Sequence, residues 1–428
     1  MDGGCFESIK PLLEKDLLPN FKKIIENGFS APINSTIPHT TIPSWPCLFS
    51  GLSVENLGYY IFIHPTKGIF NSQVWKDKSI LSMEDLKIFS LNVPGTYPAW
   101  RINGEMISGI LSPTISCYPK ELEFILKKNW IVEGKNLKEI FKAFDIKKNL
   151  FLRKMKEDFD LMIYVIRVPD SVSHRVVGNR KKILHFMNLG YQKIDNFLGE
   201  IFEENNFDNI LIFSDHGLKF YKKVLHFPRW LEKKKLLYLN NDKGKKLNNI
   251  LLKFYDLIRP FINVQISKKI YDKLSNPKKR ALEKKKDRYL DFFDAENPQT
   301  FIQKLTSNMG ALFLFGEDKI KKEEIKETLK KDKYIENFYE YNLPGYPDFL
   351  IALKDTYIFT KESSLFLKRR TEAFSHQNHG FFMAYGKDII PGKRRIISHQ
   401  NIAPTILKIY KKEIPKHMRA KSLNIIKN

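Results

Sequence analysis

The chain has 428 residues, enough for two or three domains of ordinary size, and 43% of them are hydrophobic. That balance excludes a disordered chain, and the lack of any eighteen-residue apolar run argues against a membrane-spanning helix. Lys and Arg number 72 against 48 Asp and Glu, a formal charge of +24, which favours phosphate-bearing partners.

The first residues, "MDGGCFESIKPLLEKD", carry neither a basic nor an apolar leader pattern. Cys5, Cys47 and Cys117 are scattered and never form a CxxC pair, so they read as reduced thiols of a cytoplasmic protein. Phe21, Ile24 and Ile25 share one face of a helix that stops at Asn27-Gly28. The loop "HTTIPSW" (39–45) follows; by itself it is a capped turn, since Thr and Pro favour turns for local reasons. Short apolar runs then predict buried strands at 88–93 ("IFSLNV"), 160–168 ("DLMIYVIRV") and 209–214 ("NILIFS"). Between the last two, Tyr191, Ile194, Leu198, Ile201 and Phe202 line one face of a helix. Residues 218–344 read as an inserted basic cap of long charged helices with one apolar run, "GALFLFG" (310–316). Residues 221–290 hold 21 Lys or Arg against 6 Asp or Glu, the ordinary reading being a solvated lysine-rich surface. The runs "DFLIAL" (348–353) and "GFFMAYG" (380–386) are expected to return to the main sheet. The expected fold is therefore α/β: a doubly wound, mostly parallel sheet flanked by helices, with residues 1–217 and 345–428 forming the core.

In open α/β sheets, ligands bind beyond the carboxyl ends of the strands. Here those ends carry Asp170 and His174 in "PDSVSH", Asp215 and His216 in "SDHG", and His376 and His379 in "FSHQNHG". Asp2, in "DGG", opens the chain. A single strand-end Asp is often only a helix cap. A charge pair placed directly after a buried strand is costly without a cation or a partner, so "SDHG" is the sharper signal. Asp and His without thiolates suit Zn²⁺ or Mn²⁺.

With these pieces in this order, the sequence resembles the type I phosphodiesterase/nucleotide pyrophosphatase family of the alkaline phosphatase superfamily. The resemblance runs from "DGG" through "TIPSWPCLFSGL", "PDSVSH", "SDHG" and "SHQNHGFFMAYG" to "NIAPTILKIY". It implies two divalent metal ions, one on Asp2, Asp215, His216 and Thr41, the other on Asp170, His174 and His376, which has the family's spacing to Gly380. It further implies Thr41 as the nucleophile, with Thr40 structural, and Ser44 and Trp45 as substrate contacts. A phosphodiester or phosphoanhydride of a nucleotide-like molecule would be cleaved through a phosphothreonine. The alternatives are another hydrolase or phosphomutase of the superfamily, or a non-catalytic nucleic-acid-binding protein on the same scaffold. The basic insertion leaves nucleic acid or an anionic membrane surface open as a partner. The resemblance also calls for a strand ahead of Asp2, so the sheet is expected to break beside 209–214 with Asp2 loosely held.

Overall fold

The computed structural model describes residues 1–64, 66–176, 180–237, 300–306, 308–354, 356–359 and 367–427. It divides into two compact units: residues 1–64, 69–220 and 374–428, and residues 65–68 and 221–373.

Two sheets of the described residues in the first unit frame the site. In one, strand Ile88–Val93 runs parallel to Gly104–Ser108 on one side and to Leu161–Tyr164 on the other. Ile88–Val93 is buried along its whole length, which is why its sequence is a continuous apolar run rather than an alternating one. In the other sheet, His379–Gly386 lies antiparallel between Phe29–Asn34 and Asn209–Phe213. The α/β class is as expected, but this second sheet is built around antiparallel pairs. The sheet also divides where a break was expected: among the described residues, Asn209–Phe213 pairs on one side and Leu161–Tyr164 on one side. Asp2 is not loose, however. It is fully buried, its N–H donates to the Ile166 carbonyl at 2.8 Å, and its carbonyl accepts from Asp170 N–H at 3.3 Å.

One apolar cluster joins both sheets to their helices, with Phe89 and Leu91 from one sheet and Phe381 and Met383 from the other. Helix Arg180–Glu204 contributes Ile183, Met187, Tyr191, Ile194, Leu198 and Ile201, the three-and-four spacing of a single face. Helix Pro19–Asn27 buries Phe21 and Ile24, and its first N–H groups are taken by the Asp195 carboxylate, at 3.3 Å from Asn20 N and 2.8 Å from Phe21 N.

The run at 160–168 forms a shorter strand than expected. It ends at Tyr164, and helix Val168–Arg175 starts four residues later with Pro169 in its first turn. The insertion differs too. It opens with strand Gly217–His226, not a helix, and Phe349–Leu353 pairs with Met309–Phe313 and Ile335–Glu340 inside the second unit. Phe349–Leu353 is buried throughout, and these two partners satisfy both of its edges, so it does not rejoin the main sheet. The second unit thus runs to residue 373, beyond the expected end of the insertion at 344. It has its own core, including Trp230, Leu231, Leu312, Leu329 and Ile351. The basic runs at 241–249 and 276–290 lie outside the described residues. Among the described residues, no helix is long and apolar enough to cross a membrane.

Lys147 is a buried charge that the apolar patterning hides. It sits on helix Leu137–Lys154 and donates to Asn92 Oδ1 and to the Val132 carbonyl, both at 3.0 Å. Burial, helped by the neighbouring Arg167 charge, lowers its pKa from 10.5 to about 7. Between those values the unfolded chain binds more protons than the folded one, so stability rises with pH. Lys147 alone contributes a slope of up to about 1.4 kcal/mol per pH unit. Denaturant unfolding at pH 7 to 9 should show this slope as the difference between the parent and Lys147→Met. Parallel curves would contradict it.

Candidate active site

Each side chain of the site arrives by a local route. Gly3 has φ +74, and a Cβ there would meet Asp170 Cα at 3.3 Å, so glycine is required where Asp2 turns inward. Gly3 N–H donates to Asp215 Oδ1 at 3.2 Å. Asp215 and His216 follow strand Asn209–Phe213 after a single residue, Ser214. Asp170 and His174 lie four residues apart on helix Val168–Arg175, which puts both on one face. His376 is the penultimate residue of strand Leu367–Gln377.

The structure brings six of the expected residues together in two groups. Asp2 Oδ1 and Asp215 Oδ2 lie 3.5 and 3.4 Å from His216 Nε2. Asp170 Oδ1 lies 3.1 Å from His174 Nε2 and 3.0 Å from His376 Nε2, and the two imidazole nitrogens are 3.1 Å apart. The groups share a wall, because the His216 and His376 rings stack at 3.8 Å. His376, not His379, belongs to the site: His379 is exposed and pairs with Asn34 in the sheet.

The ring nitrogens are set by their outer partners. His216 Nδ1 donates to the Gly217 carbonyl at 3.1 Å, and His376 Nδ1 donates to the His39 carbonyl at 3.2 Å. Each Nε2 is thereby left as a lone-pair donor, the arrangement metal-binding histidines use.

Charge is crowded here. Burial pushes the Asp215 carboxyl well above its ordinary range, and the nearby Asp2 and Asp170 push it further. Burial also acts upward on Asp170, but His174 and Arg167 outweigh it and hold that carboxyl well below its ordinary value. His174 is raised by Asp170, whereas burial lowers both His216 and His376. Asp2 Oδ1, Asp215 Oδ2 and His216 Nε2 are buried and have no hydrogen-bond partner among the described residues. Their side chains can present ligand atoms within 4.8 Å of one another, as can Asp170, His216 and His376. Unpaired buried polar atoms cost several kcal/mol, and a divalent cation removes that cost for all three. The donor set fits Zn²⁺ or Mn²⁺.

The loop carrying Thr41 is tied to this cluster through the His39 carbonyl, two residues away. Thr40 has extended angles, and its hydroxyl donates to the Ile42 carbonyl. Thr41 is half-buried, and its hydroxyl has no hydrogen bond among the described residues. Ile42 interrupts helix Thr41–Ser50 with φ -109 and ψ 121, so the regular helix starts just beyond Thr41. This helix start is poor in donors, because Pro43 and Pro46 carry no N–H and Ser44 N–H donates to the Thr40 carbonyl at 3.2 Å.

Two expected contacts are not met. Ser44 is fully buried, its Oγ 2.6 Å from Thr36 Oγ1 and 3.3 Å from Ser35 Oγ. Trp45 is 1% exposed and packs on Phe49 and Phe213 at ring distances of 5.9 and 6.1 Å. Both are interior residues because Pro43-Ser44-Trp45 is already inside the helix that faces the core. Conversely, sequence reasoning passed over Arg167, which joins Asp2 and Asp170. The signal was a lone charge inside "YVIRVPD", since a buried charge requires partners.

No protein of curated function matches this sequence significantly. Solved structures resemble it over nearly its whole length. Human ectonucleotide pyrophosphatase/phosphodiesterase 5 superposes with a TM-score of 0.57 at 14% identity, covering 99% of this chain and 96% of its own. An inactive form of the murine protein in complex with AMP gives 0.55 at 13% identity, covering 97% and 94%. Phosphonoacetate hydrolase from Sinorhizobium meliloti 1021, in complex with phosphonoformate, gives 0.55 at 13% identity, covering 92% and 88%. The sequence itself matches the family described as type I phosphodiesterase / nucleotide pyrophosphatase over residues 1–382. With its fold shared among alkaline phosphatase superfamily members, the chain belongs to the type I phosphodiesterase/nucleotide pyrophosphatase family of hydrolases acting on phosphate ester bonds.

Proposed function

We propose that this hydrolase cleaves a phosphodiester or phosphoanhydride of a nucleotide-like substrate by transfer of the phosphoryl centre to Thr41. The observation that carries the reading is the set of three buried, unpartnered atoms, Asp2 Oδ1, Asp215 Oδ2 and His216 Nε2, next to the Asp170–His174–His376 group. Asp2, Asp215 and His216 would hold one divalent ion, and Asp170, His174 and His376 a second. Bound there, such ions supply positive charge that acidifies a hydroxyl or water and neutralises phosphoryl oxygens.

Thr41 is preferred over Thr40 because the Thr40 hydroxyl is committed to the Ile42 carbonyl. The Thr41 oxygen forms a bond to phosphorus and gives its proton to solvent, while the bond from phosphorus to the leaving oxygen breaks and that oxygen departs with the electron pair, taking up a proton from solvent. Water then cleaves the phosphothreonine and restores the hydroxyl. A nucleotide-like ligand is favoured by the AMP complex of the murine relative.

The test is a panel with Zn²⁺ or Mn²⁺ restored: bis-p-nitrophenyl phosphate, p-nitrophenyl phosphate and a nucleotide pyrophosphate. The diester and the pyrophosphate should turn over faster than the monoester. A clear preference for the monoester would make the protein a phosphatase instead.

A further inference from the structure

Arg167 immediately precedes helix Val168–Arg175, and its side chain is 11% exposed. Its Nε donates to Asp2 Oδ2 at 2.8 Å, Nη2 to Asp170 Oδ2, and Nη1 to Glu133 Oε1 at 3.1 Å. The other oxygen of each aspartate faces imidazole nitrogen: Asp2 Oδ1 lies 3.5 Å from His216 Nε2, and Asp170 Oδ1 is 3.0 Å from His376 Nε2. Each carboxylate is therefore divided, one oxygen for the guanidinium and one for the site. The two aspartates belong to different groups, so one planar side chain fixes their separation.

We propose, on the two-ion reading above, that Arg167 is a positioning residue that holds Asp2 and Asp170 as one-oxygen ligands and couples the two half-sites. Each of its three nitrogens donates to a carboxylate, which fixes the guanidinium in one plane between the two aspartates. Glu133 also accepts from Arg175 Nη2 at 3.2 Å and offsets the Arg167 charge on its outer side. A lysine would keep the charge but, as a single ammonium, could not reproduce the planar fork.

Charge and geometry make opposite predictions, and this makes the proposal testable. A nearby cation repels metal ions, so by charge alone removing Arg167 would tighten their binding. By geometry, its removal frees both carboxylates to turn and weakens binding by about 10- to 100-fold, the usual cost of losing a group that orients metal ligands.

The experiment is a Zn²⁺ titration, against a competing chelator, of the metal-free full chain with arginine, Arg167→Gln or Arg167→Lys. Thermal unfolding of each metal-free form monitors the fold. The parent should bind two ions, and both variants should bind both ions about 10- to 100-fold more weakly. Equal or tighter binding by Arg167→Gln, weakening of one step only, or parental affinity in Arg167→Lys would overturn the positioning role. If Arg167→Gln does not fold, Arg167→Lys decides the question, since it keeps charge and length. A parent that binds no Zn²⁺ would instead overturn the two-ion reading, and this inference with it.

Discussion

Thr41→Ala is expected to lower kcat by about 10⁴-fold or more, roughly 5 kcal/mol of transition-state stabilisation. Thermal stability of the metal-free protein should stay at the parental level, because the Thr41 hydroxyl has no hydrogen bond to lose among the described residues, and Asp2, Asp215 and His216 should still retain the first ion. Thr40→Ala should do the reverse. It removes the bond to the Ile42 carbonyl, costs about 1 kcal/mol of stability, and leaves the rate within a few-fold of the parent. Thr41→Ser should retain partial activity, since the hydroxyl remains and only a methyl is lost. Steady-state kinetics on the aryl diester, with metal analysis of each variant, check all three. Equal losses in Thr40→Ala and Thr41→Ala would show that the wrong hydroxyl has been assigned.

Asp215→Asn should have the second largest effect, with opposite signs in the two metal states. Without metal, burial and the nearby Asp2 and Asp170 disfavour the ionised form of Asp215, so an always-neutral amide in its place should raise the melting temperature. The asparagine oxygen can still accept from Gly3 N–H, as Asp215 Oδ1 does at 3.2 Å. With metal the sign reverses. An ion at a thousand times its dissociation constant stabilises the parent by about 4 kcal/mol, and the variant should lose most of that gain. The rate should fall by at least about 100-fold. Melting curves with and without Zn²⁺ test this. A variant that melts lower than the parent without metal, yet gains as much on its addition, would contradict the assignment.

Much of the site was legible because the chemistry sits in short contiguous segments. Asp215-His216 follows a strand whose apolar run marks it out, and Asp170 and His174 have a spacing that one helical turn converts into adjacency. Strand pairing was harder to read. Phe349–Leu353 is as apolar as Ile88–Val93, and nothing within five residues says which sheet will accept it. Gly217–His226 carries lysines that suggested a helix, but its neighbour Thr356–Phe359 makes it a strand. Arg167 falls inside the strand expected at 160–168, and nothing local marks its role, since its partners Asp2 and Glu133 are distant in sequence. The family resemblance implies Ser44 and Trp45 as substrate contacts, yet the helix that begins there turns both inward.

The central claim is most directly tested by locating metal ions through anomalous diffraction from crystals grown with Zn²⁺. The predicted result is two peaks, one within about 2.0–2.2 Å of Asp2, Asp215 and His216 ligand atoms, the other equally close to Asp170, His174 and His376. Thr41 Oγ1 should sit against the first. No peak among these residues, or a Thr41 hydroxyl more than about 8 Å from the Asp215 carboxylate, far beyond any metal–oxygen bond, would contradict it.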